Sequence, residues 1–200
     1  MKNTRIVFTV FCLFFVLACS SQPGSDNYYS LVLAGDEPFL LGAETEITTR
    51  LIVGPIQLPA YLSQRGLPIQ LGASQVQNAN HHFWAEPLDE AIAKVLVRDL
   101  SRFNDSLVVD RDAGRWTVSG DCRLRVEFDK FHATTESRVV SSGRYWISSS
   151  QSSLKQEFEL FRSLSEDGYA KSVEALRNIL ETLAREISVA INSGPYCSKE

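Results

Sequence analysis

The chain has 200 residues, 44% hydrophobic and 22% charged, which excludes intrinsic disorder and leaves enough apolar material for one packed core. Its net charge is −4 with both signs scattered and no basic run, which excludes the phosphate neutralisation that nucleic-acid binding demands.

The first element is a leader. Lys2 and Arg5 precede an apolar run from Ile6, and Val16-Leu17-Ala18-Cys19-Ser20 follows it. A positive start, an apolar stretch of about a dozen residues and a small residue at its end describe a secretory signal. The run is shorter than the roughly twenty residues that a membrane-spanning helix needs. A cysteine directly after Ala18 turns the pattern into a bacterial lipobox, with cleavage after Ala18 and acylation of Cys19. Acyl chains there make a lasting anchor, and the compartment is oxidising. Ser20, where an aspartate would favour retention in the inner membrane, favours the outer membrane. Residues 1–18 are therefore read as signal, 19–27 as lipidated tether and 28–200 as the folded domain. The tether sequence SSQPGSDN is small and polar, and Pro23 and Gly24 break it.

Beyond the tether, Tyr28–Leu33 reads as a strand, and Ile47–Ile56, running on to Leu58, as a second. Pro55 inside the second strand calls for an edge position or a bulge. Leu67–Val76 reads as a third strand and Gln77–His82 as a polar loop. Pro87 then suits a first helical turn, and Leu88, Ala91, Ile92, Val95, Leu96 and Leu100 recur at spacings of three and four. This predicts a helix that ends near Phe103-Asn104. Leu107–Val109 is a short strand, closed by a turn over Asp110–Gly114. From Trp116 to Phe128 the alternation is strict, and Phe131 breaks its parity, so a bulge or turn falls near Lys130. Val139-Val140, Tyr145–Ile147 and Phe158–Phe161 read as further strands. A second amphipathic helix follows through Val173, Leu176, Leu180, Leu183, Ile187 and Ile191, with Ser165 or Asp167 as its cap. Asn192-Ser193-Gly194-Pro195 stops it. The expected class is α/β in the order strands, helix, strands, helix: a single compact domain whose mostly antiparallel sheet is packed by two amphipathic helices.

Of the four cysteines, Cys12 leaves with the signal and Cys19 carries lipid. Cys122 and Cys197 remain, either bonded to each other or as a buried thiol and a loose tail residue. No catalytic pattern emerges: there is no Gly-x-Ser-x-Gly elbow and no glycine-rich phosphate loop. His81, His82 and Glu86 are the one cluster of ligand types, but adjacent histidines point apart and no second pair completes a metal set. His132 stands alone and reads as a surface residue. No cofactor is expected, and the chain reads as non-enzymatic. The aromatic constellation Pro59-Ala60-Tyr61-Leu62 with Phe83-Trp84-Ala85-Glu86-Pro87-Leu88 has two readings. It staples the helix entry to the core, or it forms a contact surface, where Trp and Tyr are enriched.

The runs IVGPIQLPAYLSQRG and FWAEPLDEAIAKVLVRDLS, Tyr28-Tyr29-Ser30-Leu31, VEFDKF and DGYAKSVEALRNILETLAREIS resemble the PqiC (YmbA) family of ABC-transporter auxiliary lipoproteins. The resemblance covers essentially the whole mature chain. Many relatives carry an acidic residue and arginine after the Tyr-Leu pair; this chain has Ser63-Gln64-Arg65. The resemblance implies an outer-membrane lipoprotein that serves an MCE-type lipid transport system. It implies docking on a periplasm-spanning tunnel protein (PqiB-like) and assembly as a homo-oligomeric ring. Tyr61, Leu62, Trp84, Glu86 and Pro87 are the expected contact or ring residues. The alternatives are a lipid-anchored adaptor of another envelope machine, in secretion or wall maintenance, and, more remotely, a hydrolase using His81 or His82.

Overall fold

A thirteen-residue strand organises the sheet. This strand, β6 (Cys122–Thr134), lies within a computed structural model that describes residues 24–32, 49–105, 107–112 and 122–197. The other strands are β1 (Asn27–Tyr29), β2 (Thr49–Gln57), β3 (Gly66–Gln70), β4 (Val76–Trp84), β5 (Leu107–Arg111), β7 (Arg138–Ser148) and β8 (Ser153–Ser163). The helices are α1 (Leu88–Phe103) and α2 (Tyr169–Ser193), and a short 3-10 turn covers Pro195–Cys197.

Along one edge β6 pairs antiparallel with β7 over its whole length, and β7 pairs antiparallel with β8. Along its other edge β6 is shared. Its first half pairs parallel with β2, which carries β5 in parallel, and its last two residues pair parallel with β3. β3 in turn carries antiparallel β4 and then β1. The result is one mixed sheet of eight strands that forks at β6. Its longest ladders are antiparallel, and the strands-helix-strands-helix order is as expected.

Both helices cover the same face. α1 packs on β2 and β5, α2 packs on β6, β7 and β8, and the helices meet each other. Alternation explains why. Leu124 and Val126 of β6 stand opposite Ile147 and Tyr145 of β7, and with Cys122 and Phe128 they are buried on the face that the helices cover. Their neighbours Arg123, Arg125 and Glu127 point to the uncovered face, where the Arg125 guanidinium lies 4.9 Å from the ring centroid of its cross-strand partner Trp146. Asp99 of α1 and Arg177 of α2 are both buried and pair at 2.8 Å, which pins one helix to the other. The 3-10 turn folds back so that Cys197 joins Cys122 in a disulfide.

Two irregularities fall where the sequence places them. β2 lies between β5 and β6, so Pro55 is accommodated by a register shift between Val53 and Ile56. In β6 the register shifts between Phe128 and Lys130. Opposite that bulge stands Gly143, where an added Cβ would come within 2.1 Å of the Glu127 carbonyl oxygen.

Four expectations need correction. Gln77–His82 is strand, not loop: β4 runs from Val76 to Trp84 as a ribbon largely exposed on both faces, so no apolar alternation marks it. The stretch read as one strand over Leu67–Val76 is β3 from its second residue, a turn and the first residue of β4. Neither Ser165 nor Asp167 caps α2; Gly168 occupies that position at φ 126°, and Asp167 instead accepts a hydrogen bond from Ser137 Oγ at 2.8 Å. His132 is buried, 2% exposed, not a surface residue. The signal, Cys19, Leu33 and the Gly114–Asp121 stretch lie outside the described residues.

Candidate functional site

The turn from β2 to β3 and the junction from β4 into α1 meet at one end of the sheet. Leu62 N–H donates to the Pro59 carbonyl at 2.9 Å and closes the turn, and the Leu62 side chain is fully buried beneath it. Trp84 N–H donates to the Arg65 carbonyl at 3.0 Å, and Ala85 N–H to the Tyr29 carbonyl at 2.8 Å. These bonds tie the turn, the junction and β1 together. Between them lies an open cleft of 310 Å³, lined by residues 63–65 and 84–88.

The expected contact residues divide between this cleft and its surroundings. Trp84 lines the cleft and is buried in the core cluster, and among the described residues its Nε1–H has no partner. Glu86 and Pro87 line it too, and Glu86 is paired with Lys94 of α1. Pro87 occupies the position before the first helical residue, with no side chain capping the turn that follows. Tyr61 lies outside the cleft, against β6: its hydroxyl donates to the Asp129 carbonyl at 3.0 Å, and its ring meets His132 edge-on at 5.9 Å. Burial, with a smaller contribution from the Asp129 charge, pushes the Tyr61 hydroxyl up to about 12. Leu62 supports the turn from below and presents no surface.

Phe83 belongs to the aromatic constellation read from the sequence, but its grouping with Arg65 and Tyr28 was not expected. The Arg65 guanidinium lies 5.2 Å from the Tyr28 ring centroid and 4.9 Å from that of Phe83, and it donates to the Tyr28 hydroxyl at 2.6 Å. Tyr28 and Phe83 are register partners in β1 and β4, so the two strands set the rings side by side. The signal available was Tyr28-Tyr29 and Arg65 in segments that resemble the family; only the pairing of β1 with β4 brings them together.

The two histidines have different partners. His81 Nδ1 lies 3.1 Å from Asp26 Oδ1, while His82 Nδ1 lies 2.8 Å from the Tyr29 hydroxyl. His82 stacks on Tyr169 at 3.8 Å, which joins β4 to the start of α2. Among the described residues, no three His, Cys, Asp or Glu side chains converge as a metal site. Around the cleft stand the residues of the β2–β3 turn and of the entry into α1.

Comparison with known proteins places this geometry in a family. The sequence is 27% identical to the intermembrane transport lipoprotein PqiC of Escherichia coli K12 over 179 residues, covering 88% of this chain and 92% of that one. The PqiC of Shigella flexneri matches to the same extent. Among solved structures, an uncharacterised protein aligns with TM-score 0.72 at 27% identity, over 84% of this chain and 99% of its own. A Xanthomonas campestris protein shares the fold with TM-score 0.62 at 15% identity, over 84% and 98%. The family described as ABC-type transport auxiliary lipoprotein component matches residues 38–188, most of the chain and all but the first of the eight strands. This chain belongs to that family of transport auxiliary lipoproteins.

Proposed function

We propose that this protein is an outer-membrane lipoprotein serving as accessory subunit of an MCE-type intermembrane lipid transport system. Its signal is removed after Ala18, acyl chains on Cys19 hold it at the periplasmic face, and it works by docking rather than by catalysis. Glu86, Pro87 and the aromatic positions Tyr61 and Trp84 form the face that meets a periplasm-spanning, PqiB-like tunnel protein or neighbouring copies in a ring. The observation that carries this reading is similarity over nearly the full length of an intermembrane transport lipoprotein. The cleft beside α1 supports it, because Ser63, Gln64 and Arg65, which follow the Tyr-Leu pair, meet the residues of the helix entry there.

Affinity capture of the tagged, full-length protein from native envelopes tests the docking. An MCE-domain protein is expected to co-purify, and Glu86→Arg is expected to reduce its recovery severalfold. Absence of any MCE-domain protein from the wild-type capture would overturn the reading. Mass spectrometry of the mature amino terminus separately checks for acylated Cys19.

A further inference from the structure

The last strand leaves one edge of the sheet open. β8 pairs with β7 along its eleven residues without a register shift, and among the described residues no strand pairs with its other side. Every second N–H and C=O of β8 therefore points outward with no ladder partner. Sheet edges are ordinarily blunted by proline, by a bulge or by shortness, and β8 has none of these.

The side chains along that edge specify what fits it. On the face turned away from the helices, Lys155, Glu157, Glu159 and Phe161 stand opposite Trp146, Arg144, Ser142 and Val140 of β7. Lys155 is engaged, its ammonium 5.9 Å from the Trp146 ring centroid. Arg144 is drawn toward β6, 3.0 Å from Asp129 and 3.7 Å from Glu127. Among the described residues, Glu157 and Glu159 are thus left without an ion pair. Phe161, at the end of the same row, is 69% exposed. On the opposite face Leu154 and Leu160 are half-buried against the core. Free ladder groups, two unpaired carboxylates and apolar side chains suit a strand that carries cations on one face and apolar residues on the other.

A second copy of this chain is the wrong occupant. Antiparallel pairing of β8 with itself, centred on Phe158, sets Glu157 opposite Glu159; centring on either glutamate sets that carboxylate against its own copy.

We infer that the free edge of β8 takes up an extended basic segment of another protein as an added strand, its lysines or arginines alternating with apolar residues. The inference needs neither acylation of Cys19 nor docking at the cleft, because β8 ends the sheet on the side opposite β1.

The full-length protein in nonionic detergent is titrated into a fluorescein-labelled peptide of alternating lysine and valine, matched in length to β8, with anisotropy as the readout. Saturable binding is expected, and a glutamate–valine peptide is expected not to bind. A lysine–proline peptide has the same charge but half the ladder donors, and it too is expected not to bind. Glu157→Gln with Glu159→Gln, both at exposed positions, is expected to weaken affinity about fivefold with an unchanged melting temperature. Hydrogen exchange is expected to slow at the amides of β8 when the lysine–valine peptide binds. The inference is overturned by no saturable binding, by equal binding of either control peptide, by unchanged affinity in the glutamine variant, or by protection at other strands instead. It is equally overturned if the outward amides of β8 are protected before peptide is added, since the edge would then be covered by the chain itself or by a second copy.

Discussion

A single ring at the turn shows how one residue ties stability to pH. His132 is buried between β6 and the Tyr61 ring, and its Nδ1 lies 3.1 Å from the Ala133 carbonyl oxygen. The oxygen can only accept, so Nδ1 carries the proton. Burial holds the imidazole below its ordinary value, against a smaller opposing effect of that hydrogen bond. The folded state therefore takes up a second proton less readily than the unfolded chain. Above pH 6.5 both states hold a neutral ring and the group contributes no slope. As pH falls below 6.5 the unfolded state gains protons first, and stability drops. Denaturant unfolding at pH 7.5 and pH 5 is expected to show this loss in the wild type and a smaller loss in His132→Gln. A lone histidine in sequence carries no sign of burial; the bulge places it opposite Val140, on the face away from the helices, and the tyrosine that covers it there comes from a different element.

Between elements, the Asp99–Arg177 contact joins helices 78 residues apart in sequence. Arg98 also donates to Asp99 Oδ1, at 2.9 Å. Burial pushes the Asp99 carboxyl up while the Arg98 charge pulls it down. Removing the carboxylate strands a buried guanidinium, so Asp99→Ala is expected to cost about 3–5 kcal/mol. Replacing both partners with leucine is expected to recover most of that loss; urea unfolding of the single and double variants separates the two. Legibility followed the strength of the periodic signal. α1 and α2 were plain because apolar residues recur every third or fourth position, and the two bulges were marked by Pro55 and by the parity break at Phe131. β4 was hidden because a ribbon wet on both sides needs no alternation. The start of α2 was hidden because a glycine in the left-handed region, rather than a side-chain cap, makes the entry. For the candidate site, Trp84, Glu86 and Pro87 were legible as a helix entry. Arg65 with its ring pair was not, because strand pairing creates it.

At the scale of the whole molecule, the disulfide and the fork divide the work of holding the fold together. Cys122–Cys197 closes a loop of 75 residues and ties the end of the chain to the first residue of the central strand. In the chain-entropy treatment such a closure is worth about 4 kcal/mol. A Cys122→Ser, Cys197→Ser variant is expected to lower the unfolding free energy by about 2–4 kcal/mol with little change in far-ultraviolet circular dichroism. Equal stability of the variant and the oxidised wild type would show that the bond is absent in solution.

The fork also decides how the fold bears mechanical load. A pull on the amino-terminal arm enters through β1, which three residue pairs hold to β4. It crosses to β3 and reaches the central strand through two residue pairs. Along the backbone the same pull passes from β1 to β2, which five register pairs hold to β5 and five to β6. Under tension the three-pair hold on β1 is expected to yield before the longer pairings of β2, as a fuse protects a circuit. Slack is released at the arm while the helices and the disulfide-linked centre keep their form.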